Sequence, residues 1–149
     1  MCNIFSQRIR IDREETTIPT GKISSSKNSY DVFKAIFDFD KNDLDAFECF
    51  YALYLNHANK IVSIQLISEG AVNQTLVPIA KIAQGALLAH ATSVIFCHNH
   101  PSGALRPSQP DIDHTQKASK GLLLLDILVL DHIIISSEGY YSFADEGLI

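Results

Sequence analysis

Apolar positions recur along this chain in two rhythms, one helical and one strand-like. After Ser24-Ser25-Ser26, which reads as a connector, Val32, Phe33, Ile36 and Phe37 fall on one stripe of a helix. Ser29 stands where an N-cap is expected, with Asp31 in the first turn, and the polar stretch Asp38 to Asp45 ends the helix around Lys41-Asn42. Phe47 to Leu55 is apolar almost throughout and predicts a strand buried on both faces, with Glu48 its one charged residue. Asn56 to Lys60 turns the chain, and the alternating run Ile61 to Ile67 predicts an antiparallel return ending at Glu69-Gly70.

The same reading continues downstream. Pro78 opens a helix with Ile79, Ile82, Ala83, Ala86, Leu87 and His90 at helical spacing. Val94 to Cys97 predicts a strand running into His98 and His100, followed by a helix from about Gln109 with Gly121 near its C-terminal end. A buried strand over Asp126 to Ser136 and a short one over Tyr140 to Phe143 complete the set. Strands interrupted by helices predict the α/β class, a mixed β-sheet with helices packed on it. In residues 1–22, Arg8 to Asp12 alternates like a short strand, closed off by Pro19 and Gly21. This segment reads as an N-terminal arm or edge strand ahead of one domain over residues 23–149.

Composition narrows the setting. A chain of 149 residues has a one-domain length and can bury a real core. Lys and Arg number 12 against 17 Asp and Glu, a formal net charge of -5, which argues against a surface built for the nucleic-acid backbone and leaves room only for a local basic patch. Three cysteines, Cys2, Cys49 and Cys97, are odd in number and form no CxxC, as expected of reduced thiols in a cytoplasmic protein. The longest apolar run, around Leu122 to Ile135, is broken by Asp126, Asp131 and His132, so neither a membrane span nor an export signal is expected.

The candidate chemistry lies between residues 94 and 111. Side chains of a strand alternate, so His98 and His100 should share one side of the sheet. Pro101-Ser102-Gly103 is turn chemistry, Pro107 keeps the chain from being helical before it, and Ser108 and Asp111 follow where a helix should begin. Two imidazoles and one carboxylate make a three-ligand set that leaves a fourth position to water, the catalytic zinc arrangement. Ser108 and Asp111 also fit a helix-capping signature, and the two roles can coexist.

A metal hydrolase also needs a group that moves protons. Glu48 is the first choice, since a charge at the start of an apolar strand is costly to bury without a purpose. Glu69 is the competitor, in a context that reads more readily as a turn. The remaining candidates carry less. His114 lies three residues after Asp111 on the same helical face and reads as a surface or supporting His rather than a ligand. Asp131 beside His132 can orient a ligand or a base, against a default of a hydrogen-bonded structural His. His57 reads as a turn residue and His90 as a helix residue. Asn99 should face away from the histidines and brace the loop, and Cys97 should point to the opposite face.

The spacing His98-x-His100, seven residues, Ser108, two residues, Asp111 resembles the metal motif of the JAMM/MPN metalloprotease superfamily. The fuller string His98-Asn99-His100-Pro101-Ser102-Gly103 with Pro107-Ser108-x-x-Asp111 resembles its RadC branch. Asp131-His132-Ile133-Ile134 and Gly139-Tyr140-Tyr141-Ser142-Phe143 extend that likeness, which runs from about residue 23 to the C-terminus. The resemblance implies a cytidine-deaminase-like α/β arrangement, with Zn2+ on His98, His100 and Asp111. It also implies Glu48 as the base, Ser108 as a holder of the oxyanion, and hydrolysis of peptide or isopeptide bonds in a peptide or protein substrate.

The RadC group carries a DNA-repair name, so a nucleic-acid-associated factor is the alternative reading. A noncatalytic scaffold is a third, but scaffolds of this superfamily lack the ligand set. Longer RadC members match only in their C-terminal half and carry a helix-hairpin-helix type segment before it, for which the first 22 residues here are too short. Two other readings fall away. His98-Asn99-His100 is not an HNH nuclease, whose letters are scattered over a ββα unit. A zinc nucleobase deaminase needs His-x-Glu and Pro-Cys-x-x-Cys, and neither string occurs.

Overall fold

The structure is a computed structural model, and it describes residues 21–40, 43–70 and 78–149. The strand expected at Arg8 to Asp12 lies outside the described residues. Among the described residues, three helices, α1 (Ser26–Asp40), α2 (Ile79–Leu88) and α3 (Gln109–Leu123), are interspersed with five strands: β1 (Cys49–Leu55), β2 (Ile61–Glu69), β3 (Ser93–Asn99), β4 (Leu128–Ser136) and β5 (Gly139–Ser142). The strands form one sheet in the order β2-β1-β3-β4-β5. Only β3 and β4 are parallel; the other three pairings are antiparallel, so the sheet is mixed as expected.

Both faces of the sheet are covered, and β1 shows how. Its seven residues are all buried. Cys49, Tyr51, Leu53 and Leu55 join a core with Val32, Phe33, Ile36 and Phe37 of α1. Phe50, Ala52 and Tyr54 join a second core with Ile82 and Ala86 of α2 and Ala118 and Leu122 of α3. Period-two alternation thus sends successive side chains into opposite layers, giving an α/β/α sandwich.

Local details depart from expectation at several points; the strand expected from Asp126, for one, begins only at Leu128, after a turn in which Asp126 has φ of 57°. α1 begins at Ser26, three residues before the expected cap at Ser29. Ser25 Oγ accepts the Asn28 N–H at 3.2 Å, so Ser25 caps the helix, while Ser29 is buried inside it. Asp31 accordingly lies beyond the first turn and pairs with Lys27 one turn back. β1 begins at Cys49, so Phe47 and Glu48 precede the strand, Phe47 being 38% exposed. His90 is not helical: α2 closes at the C-cap Ala89, and His90 turns back with φ of 52°.

The turn expected between the first two strands is present. His57 lies in the β1–β2 turn, where Asn56 Oδ1 accepts from the N–H groups of Ala58 and Lys60. Lys22 forms an isolated antiparallel bridge with Lys60 beside that turn. None of the described helices is long and apolar enough to cross a membrane.

Candidate metal centre

β3, α3 and β4 form a parallel crossover unit, and its strand-to-helix connection carries the site. β3 has an antiparallel neighbour on one side and a parallel one on the other. The carboxyl end of such a strand is where open α/β sheets gather functional groups. His98 is the penultimate residue of β3 and His100 follows its end. Ser108 is the N-cap of α3 and Asp111 its third residue.

The two residues at the helix start form a reciprocal capping box. Asp111 Oδ2 accepts the Ser108 backbone N–H at 2.7 Å and its hydroxyl at 2.6 Å, and Ser108 Oγ accepts the Asp111 N–H at 3.3 Å. The helix start thereby fixes the carboxylate and favours its charge. Both imidazoles turn toward it. His98 Nε2 is 3.5 Å from Asp111 Oδ1, His100 Nε2 is 3.5 Å from Oδ2, and the two Nε2 atoms are 2.8 Å apart.

The donor set fits a metal ion. One ligand atom from each residue lies within 4.8 Å of the others, so His98, His100 and Asp111 together could hold a cation. Tetrahedral zinc with bonds near 2.0 Å sets its donors about 3.3 Å apart, close to both nitrogen–oxygen separations. Each imidazole is also held by its other nitrogen, as metal-binding histidines usually are. His100 Nδ1 donates to the Ala104 carbonyl at 2.7 Å, and His98 Nδ1 meets His132 Nε2 at 2.7 Å.

Electrostatics follow from this packing. The hydrogen bond to Asp111 raises the His100 pKa against the opposing effect of burial, helped by the Ala104 carbonyl and by the charges of Asp111 and Glu48. Burial alone would raise Asp111, but the hydrogen bonds from His100, His98 and Ser108 and the charge of His98 hold it well below the usual carboxylate range. Burial pushes His132 well below the usual imidazole value. Access is graded: the His98 side chain is 1% exposed, while His100 and Asp111 are 15% and 17% exposed.

The two candidate bases separate by register. The β1–β3 pairing ends at Phe50 opposite His98, and extending that register by two residues would set Glu48 across from His100, whose pKa the Glu48 charge helps to raise. Glu48 is half-buried. Glu69 pairs with Cys49, whose side chain lies in the opposite core, so Glu69 shares the α1 face rather than the histidine face.

The model of the RadC-like JAB domain family matches residues 23–148. The chain belongs to the RadC-like JAB domain family. A UPF0758 protein of Flavobacterium johnsoniae is 39% identical over 139 residues, covering 93% of this chain and 58% of the relative. One from Methanosarcina mazei is 39% identical over 131 residues, covering 88% of this chain and 55% of the relative. One from Finegoldia magna is 44% identical over 114 residues, covering 76% and 51%. The chain thus spans between 51% and 58% of the length of these relatives. The sandwich and its mixed five-stranded sheet fit the JAMM fold of the RadC-like JAB family.

Within this RadC-like JAB domain, two supporting residues were harder to read from sequence. His132 does not pair with the side chain of Asp131, because neighbours on a strand point to opposite faces. Asp131 instead accepts from the Ser142 hydroxyl and the His132 and Ala144 N–H groups. His132 reaches His98, and its Nδ1 lies 2.6 Å from Thr115 Oγ1. Thr115 carried no motif, although its place four residues after Asp111 puts it on the same helical face. His114 stands outside the cluster of ligand atoms. Cys97 points into the α1-side core, as expected.

Proposed function

We propose that this domain is a zinc-dependent hydrolase of amide bonds, acting on peptide or isopeptide links of a peptide or protein in the cytoplasm. The observation that carries the reading is the convergence of His98 Nε2, His100 Nε2 and the Asp111 carboxylate at a partly exposed strand end. Three protein ligands suit a catalytic zinc, whereas structural zinc is closed by four. Bound there, zinc would lower the pKa of a water to about 7 and polarise the scissile carbonyl.

The chain's own groups do the rest. His98, His100 and Asp111 set charge and geometry. Glu48, two residues before the partner of His98 and close enough for its charge to act on His100, takes a proton from the attacking water and passes it to the leaving amine. Ser108 steadies the oxyanion once its hydroxyl turns from Asp111. The Ser108 backbone N–H, 2.7 Å from Asp111 Oδ2, keeps the carboxylate partnered when that happens. The net charge of -5 favours a protein substrate over a nucleic acid.

The test is an unbiased cleavage screen of zinc-loaded protein on a proteome-derived peptide library, read by mass spectrometry for new termini. Cleavage that stops with chelator and with Glu48→Gln supports the reading. Cleavage that persists in both, or no new termini at high enzyme concentration, contradicts it.

A further inference from the structure

We propose that Thr115 and His132 are positioning residues that lock His98 into the tautomer with a proton on Nδ1 and a bare lone pair on Nε2, aimed at the site. This rests on the metal-site reading for its purpose, but its geometry stands in the protein alone.

The argument starts from a group that can only accept. Thr115 Oγ1 lies 2.6 Å from the backbone carbonyl of Asp111, one helical turn earlier. A carbonyl has no proton, so the hydrogen in that contact belongs to the threonine hydroxyl. A hydroxyl has one proton, so Thr115 Oγ1 must accept in its second contact. That contact is His132 Nδ1 at 2.6 Å, which therefore donates. His132 is 2% exposed and stacks on Phe143 with centroids 4.7 Å apart, with the edges of Phe50 and Phe96 against it. No carboxylate touches either nitrogen, and an imidazolium in so apolar a setting would be costly. The ring is neutral, and with its proton on Nδ1 its Nε2 is an acceptor. His98 Nδ1, 2.7 Å away, must then donate to it. The relay thus puts a proton on His98 Nδ1 whatever the ring's charge, and in its neutral form His98 then has only a lone pair on Nε2, the atom that faces His100 Nε2 at 2.8 Å and Asp111 Oδ1 at 3.5 Å.

One end of this relay is the Asp111 backbone and the other is His98, so it joins two of the three candidate ligands through β4 and α3. The aromatic surroundings fix the plane of the His132 ring, which fixes the direction of its lone pair. Reversing the relay would leave the Thr115 contact to the Asp111 carbonyl without a proton. The opposite tautomer of His98 would put a proton where a metal must bind. Supporting partners of ligand histidines typically change metal affinity by 10–100-fold when removed.

The experiment is long-range nitrogen–hydrogen NMR of the imidazoles in metal-free protein, followed by zinc titration against a chromophoric chelator. In the wild type, at a pH high enough for both rings to be neutral, His98 should show a protonated Nδ1 and an unprotonated Nε2, and His132 the same pattern. Thr115→Val keeps the shape and removes the anchoring hydroxyl; it should mix the tautomers of both rings and weaken zinc binding about 10-fold or more. Thr115→Ser restores the hydroxyl and should recover both. A wild-type His98 whose neutral ring carries its proton on Nε2, or a Thr115→Val protein with unchanged tautomers, overturns the proposal. The arms separate the two claims: the expected tautomers in a protein that binds no zinc would uphold the relay and remove the metal reading.

Discussion

The side chain of Asn99 holds Cys49 across the sheet, its Oδ1 accepting the Cys49 backbone N–H at 2.7 Å. Its Nδ2 donates to the carbonyls of Leu44 at 2.7 Å and Phe47 at 2.9 Å. One buried amide therefore grips the backbone on both sides of Glu48, and it sits between the two histidines in sequence. Asn99→Ala should lower stability by about 2–3 kcal/mol, because it strands a buried N–H and two carbonyls. Urea denaturation measures this. Zinc binding by His98, His100 and Asp111 should survive the substitution, and hydrolysis should fall, because what is lost is the placement of Glu48. A variant as stable as the wild type would show that water replaces these bonds without cost.

Gly85 tests the packing of α2 on the sheet. Alanine is normally better than glycine inside a helix by about 1 kcal/mol. Here an added Cβ would press into the Tyr54 hydroxyl and the Gln65 amide oxygen. Tyr54 is 1% exposed and its hydroxyl, 2.7 Å from Gln65 Oε1 and 3.1 Å from the Ile82 carbonyl, has no room to retreat. Gly85→Ala should thus destabilise by about 1–3 kcal/mol, opposite in sign to the propensity. A raised melting temperature would show that α2 shifts freely.

Much of this was legible in the chain. The run from Val94 to His100 and the spacing to Asp111 are local signals, read by strand alternation and helix-start chemistry, and they brought the three ligand candidates together. The core stripe of Val32, Phe33, Ile36 and Phe37 was equally plain. What stayed hidden depends on register and docking. No periodicity says that His132 of β4 meets His98 of β3, since that follows from β3 and β4 lying side by side. Thr115 looks like any helical threonine until α3 is laid on β4. Ser29 reads as the cap and Ser24 to Ser26 as a connector, and only the bond from the Asn28 N–H to Ser25 Oγ shows that the helix starts a turn earlier.

The cysteines offer a chemical check on burial. Burial, and then the charges of Glu69, Asp40 and Glu48, push the Cys49 thiol up to about 11. Burial pushes Cys97 up as well, with a smaller contribution from Asp131. A pKa falling with burial would favour thiolate; here it rises, so at pH 8 the reactive thiolate of Cys49 is on the order of 0.1%. Brief iodoacetamide treatment of native protein at pH 8 should leave both residues unmodified, and both should react after denaturation. Rapid labelling of Cys97 in the native protein would mean that β3 is open to solvent.

Glu48 and Glu69 make a paired prediction about proton transfer. Glu48→Gln should keep fold and zinc while hydrolysis falls about 100-fold or more, the usual loss for a general base. Glu69→Gln, on the opposite face of the sheet, should change turnover by less than about 3-fold. Kinetics of the two variants on any peptide found in the cleavage screen decide it. The reverse pattern would pass the role to Glu69.

The central claim is that His98, His100 and Asp111 together hold a metal ion, and elemental analysis tests it most directly. Protein purified without chelator and offered zinc near neutral pH should retain about one zinc per chain after desalting. The double variant His98→Ala with His100→Ala should retain none while keeping its secondary structure. Zinc content unchanged by the double substitution, or a folded wild type that retains no zinc, would contradict the account.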